Sequence, residues 1–199
     1  MSSPTRWAGV PLSDRRAERR ALLVAAGFAL FGTDGEAAVT VRSVCRESGL
    51  NSRYFYESFA NTDELLGAVY DHVFHQLAEA VATAIEAAGE DRAEQTRAWV
   101  RAILGFSAAD PRRGRLLFTD ARTNSVLAVR RELTQDLLGQ MVIVEDQRRN
   151  PDADPVSGKV GAAMFAGAMI ELVHQWLAGR LGSDLEAVLA YTVKRVLII

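Results

Sequence analysis

The sequence contains a single cysteine, Cys45, among its 199 residues. One thiol excludes a disulfide within the chain, and it fits a reducing compartment such as the cytoplasm. No apolar run reaches the ~18 residues that a membrane span needs. The N-terminal stretch MSSPTRWAGVPLSDRR lacks the apolar core of a signal peptide. We therefore expect a cytoplasmic protein without a membrane segment.

Proline is also scarce, and none of the five prolines lies between Pro11 and Pro111. Because proline interrupts helices, this long interval permits long helices. Apolar residues recur at helical spacing through most of the chain, and we find no convincing strand-like alternation of polar and apolar residues. Repeats and low-complexity segments are likewise missing. The sequence therefore predicts an all-α fold.

The common catalytic signatures are missing too: there is no glycine-rich phosphate loop, nucleophile elbow or paired metal motif. His72, His75 and Glu79 share one face of a predicted helix, at a spacing that a metal ion could use. A polar patch or the edge of a pocket is the favoured interpretation, because no cysteine or further histidine completes a ligand set. We therefore predict no catalytic residue, no cofactor and no metal, while a helical metal-binding protein or enzyme using these three residues stays a rival interpretation.

Charge of one sign is not in excess, since the net charge is −2. Eight arginines and six acids give residues 1–60 a charge of +2, and residues 61–199 carry −4. The protein therefore does not bind polyanions by bulk charge. A local basic run does occur, at Arg15, Arg16, Arg19 and Arg20. Contact with DNA and a solvated helix face explain this run about equally well.

What the sequence does contain is a two-helix pattern between Thr40 and Glu64. Thr40 is a good N-cap for a helix over 41–48, because its hydroxyl can accept a bond from a free backbone N–H. Gly49 can take the left-handed conformation that ends a helix, and Asn51 can cap a second helix over 52–58. Two short helices joined by a glycine turn are typical of the helix-turn-helix, whose second helix enters the DNA major groove.

The second short helix has two different sides. Phe55 and Phe59 lie four residues apart and should pack inward, with Cys45 as a small residue between the two helices; a redox switch at Cys45 is the alternative. Arg53 lies early in the helix, where base edges are read, and arginine can bond guanine O6 and N7 together. Glu57 either accepts a hydrogen bond from a cytosine N4 or pairs with Arg53, and the sequence does not decide between these.

Helical spacing and cap residues divide the rest of the chain. We predict a mobile arm over 1–12, a helix-turn-helix domain over 13–60 and a helical body over 61–199. The predicted helices run from Ser13 or Asp14 to Phe31, from Asn61 or Thr62 to before Gly89, from Asp91 to about Phe106, over 111–120, over about 124–149, over 158–179, and from a Ser183–Glu186 capping box onward.

Several segments resemble the TetR (tetracycline-repressor-like) family of bacterial transcription regulators. The residues from Leu23 to Gly35, followed by Ala38–Arg42 with the sequence AVTVR, are similar to the family's first helix and its entry to the second. The recognition helix and the next helix resemble the family at Gly49-Leu50-Asn51, Phe55-Tyr56, Phe59 and Leu65-Leu66. Glu171-Leu172 and Trp176–Gly179 are similar to its C-terminal helix pair.

The resemblance implies a homodimeric, DNA-binding transcriptional regulator. A three-helix head would read a palindromic operator in successive major grooves, ~34–36 Å apart. A helical body would bind a small, mostly apolar effector that releases the protein from DNA, as in a repressor. The predicted DNA-binding residues are Thr40, Arg42, Asn51, Ser52, Arg53, Tyr54, Tyr56 and Thr62.

The body carries two further predicted sites. Candidate walls of an effector pocket are Trp99, Phe106, Phe118, Met141, Met164 and His174. The candidate dimer seam consists of Gly161, Ala163, Met164, Gly167, Val188, Leu189, Thr192 and Val196, because small residues let helices of two copies approach closely. A regulator that answers a protein partner and has no ligand pocket remains the alternative.

Overall fold

The computed structural model describes residues 6–7, 10–119, 124–149 and 154–196, and the described residues form the predicted all-α fold. Two very short strands, β1 (Arg6–Trp7) and β2 (Val10–Pro11), pair antiparallel with Arg6 opposite Pro11. They fall inside the predicted N-terminal arm, whose residues 1–5 and 8–9 lie outside the described ranges.

Helices account for most of the described residues. They are α1 (Leu12–Asp34), α2 (Val41–Ser48), α3 (Ser52–Ser58), α4 (Thr62–Ala87), α5 (Arg92–Ala109), α6 (Pro111–Gly114), α7 (Ser125–Arg149), α8 (Pro155–Leu177) and α9 (Leu185–Val196). A 3-10 turn (Glu36–Ala38) precedes α2, and a π-helical turn (Arg115–Thr119) follows α6. The chain divides into two compact units, Met1–His72 and Val73–Ile199, so that the division falls within α4 rather than after residue 60.

The first unit has an aromatic and aliphatic core built from α1 to α4. Its fully or almost fully buried side chains are Leu23, Val24, Ala26, Phe31, Val39, Val44, Phe55, Phe59, Leu65, Leu66, Val69 and Tyr70. Gly27 lets α1 approach α4 closely, because a Cβ atom there would lie 3.0 Å from Val69 Cγ2 and 3.2 Å from Leu65 Cδ2. A glycine in a helix interior costs about 1 kcal/mol relative to alanine, and the close approach explains its use here.

The second unit has a core centred on α5, α8 and α9. Val100, Leu104, Val173 and Leu189 are fully buried together. Partly buried side chains packed against this cluster include Trp99, Phe118, Leu172, Trp176, Leu185 and Val188. Gly114 is required where α6 meets α5 and α8, since a Cβ there would lie 2.7 Å from Leu177 Cδ1 and 2.8 Å from Ser107 Cβ.

Several helix boundaries differ from the sequence predictions, most clearly those of α6, α8 and α9. α8 begins at Pro155 rather than residue 158, because the Asp154 carboxylate accepts a bond from the Val156 N–H at 3.0 Å and Pro155 fits the first helical turn. The helix predicted over 111–120 is an α-helix only to Gly114 and then widens into the π-helical turn. The N-cap of α9 is Asp184 instead of Ser183, since its carboxylate accepts from the Ala187 N–H at 3.1 Å.

α8 is apolar, and most of its described residues are only partly buried or exposed. By length and composition its segment Gly158–Leu177 qualifies as a candidate membrane span, with a mean hydropathy of 1.2 and 17% of the window buried. The sequence prediction that no segment is long and apolar enough to span a membrane therefore does not hold for α8. One such helix is weak evidence for a membrane segment, because helices of soluble proteins pass the same test. Part of this apolar surface, including Val160 and Met164, is exposed in the single chain.

Candidate nucleic-acid interface

The start of α2 is fixed by a reciprocal cap, as predicted. The Ser43 N–H donates to Thr40 Oγ1 at 3.1 Å, and the Thr40 N–H donates to Ser43 Oγ at 2.9 Å. A capping box of this kind satisfies two backbone donors that the helix leaves free. The Thr40 side chain is therefore a structural cap. The residue is nevertheless exposed at the N-terminus of α2.

The turn between α2 and α3 follows from two residues. Gly49 has φ 70° and ψ 16°, a left-handed conformation in which glycine has no steric cost, and the Leu50 N–H donates to the Cys45 carbonyl at 3.1 Å. Asn51 then caps α3, because its Oδ1 accepts from the Tyr54 N–H at 3.2 Å. The predicted helix ends and caps are confirmed, and together they define a helix-turn-helix.

α3 is anchored by its inward side. Phe55 and Phe59 are buried with ring centroids 6.0 Å apart, and Val44 of α2 is buried as well. Cys45 is half-buried, and this burial raises the pKa of its thiol. A raised pKa lowers the thiolate fraction, which together with the half-buried position favours the predicted packing role over a redox switch.

The outward side of α3 carries the predicted DNA-reading residues. Asn51, Ser52, Arg53 and Tyr56 are exposed, whereas Tyr54 is half-buried. Arg53 is highly exposed, since 84% of its side chain is accessible. Four of the five candidates on α3 and at its N-cap are therefore exposed in the first unit, and Tyr54 is partly covered by Arg19.

The remaining candidates lie at the N-termini of α2 and α4. Arg42 is exposed in the first turn of α2, beside the Thr40 cap. Thr62 is half-buried at the start of α4, where the Glu64 N–H donates to Asn61 Oδ1 at 2.9 Å and the Ala60 N–H donates to Glu64 Oε2 at 2.7 Å. Helix N-termini favour anions such as phosphate through their free N–H groups and dipole.

Glu57 pairs with arginines in the free protein. The Arg53 Nε–H donates to Glu57 Oε1 at 3.0 Å, across one turn of α3. Arg19 of α1 places its Nη2 atom 3.8 Å from Glu57 Oε2. Of the two roles that the sequence left open, the structure shows the pairing with Arg53.

The basic run of α1 contacts α3, a role that the sequence did not reveal. The Arg16 Nη2 group donates to the Glu57 carbonyl at 2.7 Å. The guanidinium groups of Arg19 and Arg20 lie over the rings of Tyr54 and Phe59, 4.5 and 4.8 Å from the ring centroids. Cation–π contacts and a bond to the last turn of α3 hold the recognition helix against α1. The pairing spans about forty residues of sequence, so no local pattern could have indicated it.

The predicted effector residues have different environments within the second unit. Trp99 and Phe118 pack against the buried cluster of this unit. The rings of Trp99 and Phe165 meet edge to face, with their centroids 5.0 Å apart. His174 Nδ1 lies 3.4 Å from Thr119 Oγ1. Met164 is 57% exposed and Phe106 is half-buried below Arg113, while the side chain of Met141 lies outside the described set.

A groove does occur in the second unit, but not at these residues. It has a volume of about 350 Å³ and is open to solvent. Its lining consists of Ala84, Ala87, Ala88, Glu94, Arg97, Ala98, Arg101 and Ala102. None of the predicted effector residues belongs to this lining, so their role in a pocket stays a prediction.

The predicted dimer residues divide into exposed and internal sets. Ala163, Met164 and Gly167 are exposed on α8, and Gly161 is half-buried. On α9, Leu189 is fully buried in the core of its own chain, while Val188, Thr192 and Val196 are half-buried. The exposed side of α9 is instead formed by Ala190, Tyr191 and Lys194, with Tyr191 74% exposed.

His72, His75 and Glu79, which a metal site would use, are exposed along α4. Among the described residues, no group of three histidine, cysteine or acidic side chains has the geometry to hold a metal ion. The geometry of the described chain therefore gives the metal-binding alternative no support.

The first unit contains a capped helix-turn-helix that is preceded by the supporting helix α1. This arrangement is typical of a DNA-binding domain. Residues 23–69 match the family model for bacterial regulatory proteins of the tetR family. The HTH-type transcriptional regulator BetI of Stenotrophomonas maltophilia (strain R551-3) is 35% identical over 82 residues, which are 41% of this chain and 42% of that protein. Residues 23–69 are therefore similar to the DNA-binding region of tetR-family regulators, and the chain spans about two fifths of the length of the curated relative that it matches.

Solved structures extend the likeness of the fold to nearly the whole chain. The regulator FadR from Bacillus subtilis, in complex with stearoyl-CoA, superposes with a TM-score of 0.71 at 15% identity, covering 88% of this chain and 96% of FadR. The multidrug binding protein EbrR, complexed with imidazole, has a TM-score of 0.63 at 18% identity and covers 89% of this chain and 94% of its own. At identities of 15 and 18%, this likeness establishes only the fold.

Proposed function

We propose that the protein is a cytoplasmic homodimeric transcriptional repressor that binds a palindromic operator through α3 and is released from it by a small, mostly apolar ligand. The observation that carries this proposal is the helix-turn-helix. Its recognition helix is capped and buried on one side, and it presents Arg53 on the other. Such a helix fits the major groove with its N-terminal residues toward base edges.

The exposed face of α8 supports a dimer. Val156, Val160 and Met164 follow one another at four-residue intervals and are 62, 52 and 57% exposed. Beside them Ala163 and Gly167 are exposed and small, so that a second helix can approach closely. Exposed apolar side chains in a row favour an interaction surface, and the proposed two-fold dimer would cover this row with the same row of a second copy.

A small-molecule effector is supported by the relatives, since one structural neighbour holds stearoyl-CoA and another is described as a multidrug binding protein. In this chain Trp99, Phe118 and His174 lie around the α5–α8 core, where a pocket wall would be formed. A ligand that binds one arrangement of the dimer better than another shifts the population toward that arrangement, by no more than its differential affinity.

Selection from a random duplex library tests the DNA-binding part directly. The wild-type chain should enrich a two-fold symmetric sequence and bind it at moderate salt much more tightly than a scrambled duplex. Arg53→Ala should relax the sequence choice, whereas Arg42→Ala should weaken binding to all duplexes alike and flatten the salt dependence. A chain without sequence-selective affinity would remove the proposal.

The dimer has its own test in sedimentation at micromolar concentration. Met164→Glu places a charge in the proposed α8 seam and should convert the dimer to a folded monomer. Leu133→Glu on α7 is the matched control, because Leu133 is 60% exposed and equally apolar. A dimer that survives Met164→Glu but dissociates with Leu133→Glu would place the seam on α7 instead.

A further inference from the structure

Arg53 is exposed yet held in one orientation. Its Nε–H donates to Glu57 Oε1 at 3.0 Å, although 84% of the arginine side chain is accessible. A guanidinium has five N–H donors. The bond to Glu57 uses the inner donor, and the donors that remain belong to the terminal Nη1 and Nη2 groups.

Glu57 is itself anchored from outside its helix. The Arg19 Nη2 atom lies 3.8 Å from the second carboxylate oxygen, and the Arg16 Nη2 group donates to the Glu57 carbonyl at 2.7 Å. Arg19 also covers the ring of Tyr54, and only 24% of its own side chain is exposed. A continuous series of contacts therefore runs from α1 through Glu57 to Arg53.

This geometry determines how Arg53 can meet a base. A guanine presents O6 and N7 side by side in the major groove, and arginine reads both with two parallel N–H bonds. With Nε held by Glu57, that pair must come from Nη1 and Nη2, so the guanidinium approaches the guanine end-on. A side chain already fixed in this orientation loses less conformational entropy on binding than a free one.

We propose that Glu57 is a positioning residue that selects guanine indirectly, by holding Arg53 for end-on bidentate reading, and that Arg19 anchors Glu57 for this purpose. The inference rests on the proposed DNA-binding function. Direct reading of a cytosine by Glu57 is less favourable, because both carboxylate oxygens face arginines. The two arginines also offset the repulsion between the carboxylate and DNA phosphates.

The test uses the duplex selected by the wild-type chain and a second duplex that carries A·T at the G·C pair whose preference Arg53→Ala abolishes. Glu57→Gln keeps the shape of the side chain but removes its charge. We expect it to lower the ratio of the two affinities about tenfold, on the order of the discrimination by one arginine–guanine contact. In the Arg53→Ala background, Glu57→Gln should leave this ratio unchanged, because no guanidinium remains to be positioned.

Glu47→Gln is the matched control. Glu47 is an exposed acid in α2 of the same unit. Its neutralisation should strengthen binding to both duplexes alike and leave their ratio unchanged. Replacing the guanine by 7-deazaguanine, which lacks the N7 acceptor, should lower the affinity of the wild-type chain for the duplex. The same replacement should lower the affinity of the Glu57→Gln variant less. Thermal unfolding of each variant shows that the fold is retained.

Two results would overturn the inference while leaving the proposed function intact: an unchanged ratio in Glu57→Gln, or a lost preference at a C·G pair that Arg53→Ala does not touch. The second result would assign cytosine reading to Glu57 itself. If the wild-type chain selects no sequence, both the proposed function and this inference fail, because Arg53 would then have no base to read.

Discussion

The two units of the chain bury their apolar surface in opposite ways. In the first unit, α2 and α3 have only 8 and 7 residues, yet Val44, Phe55 and Phe59 are almost completely buried. In the second unit, α8 has 23 residues and exposes Val156, Val160 and Met164. The comparison shows that the short helices of the first unit bury their apolar side chains within one chain, whereas the long helix α8 leaves apolar side chains exposed, as the proposed dimer requires.

The largest expected effect concerns the closed core of the head. Phe55→Ala removes a fully buried ring from the contact between α2 and α3, and we expect a loss of about 3–5 kcal/mol in the free energy of unfolding. Urea denaturation measures this loss. Leu22→Ala, at a half-exposed position of α1, should cost less than about 1 kcal/mol. Similar losses for the two variants would contradict a tightly packed head.

A smaller effect is expected where the body is closely packed. Gly114→Ala should destabilise the chain by about 1–3 kcal/mol, because the added Cβ meets Ser107 Cβ, which the backbone of α5 fixes, at 2.8 Å. Gly105→Ala is the control within α5, where an added Cβ has no neighbour within 4 Å. That variant should gain about 0.5–1 kcal/mol from helix propensity. Thermal or urea unfolding of the two variants should therefore shift in opposite directions.

The smallest effect is the pH dependence of an ion pair at the start of α6. The bond that Arg112 Nη2 donates to the Asp110 carboxylate at 2.8 Å lowers the pKa of Asp110. Its stabilisation is therefore complete above the unfolded pKa of about 3.9 and is lost as the pH falls through the lower folded pKa.

Asp110→Asn keeps an N-cap but removes this charge, so it should cost less than about 1 kcal/mol at pH 7 and nothing at strongly acidic pH. Asp154→Asn tests the same Asp-Pro cap at α8 and should show a smaller pH dependence if the arginine causes the effect. Unfolding curves across the acid range distinguish the two variants. Equal pH dependence of the two differences would contradict the role of Arg112.

The head was largely predictable because its determinants are local. Thr40, Gly49 and Asn51 act on backbone groups within three or four residues, and each was placed correctly from the sequence. The cap of α8 at Asp154 is equally local, but the predicted start at residue 158 lies beyond it. The same Asp-Pro sequence caps α6 at Asp110, where the prediction begins at the correct residue, 111.

The parts that were not predictable depend on contacts between distant residues. An apolar stripe on α9 does not reveal that Leu189 belongs to the chain's own core while Tyr191 faces outward. The basic run of α1 likewise gives no sign that Arg16 and Arg19 contact Glu57. Both outcomes follow from how helices pack, which periodicity within one helix cannot show.

The contacts between α1 and α3 have a consequence for genetics. Under the proposed function, a screen for chains that no longer bind an operator should return substitutions at Arg16 and Arg19 together with those at Arg53. The first two contact the α3 residue Glu57, whereas Arg53 is the residue proposed to read a base. From the phenotype alone, residues that only support α3 would be mistaken for residues that contact DNA. Suppressor mutations separate the groups, because a changed operator base can rescue Arg53 variants but not a misplaced helix.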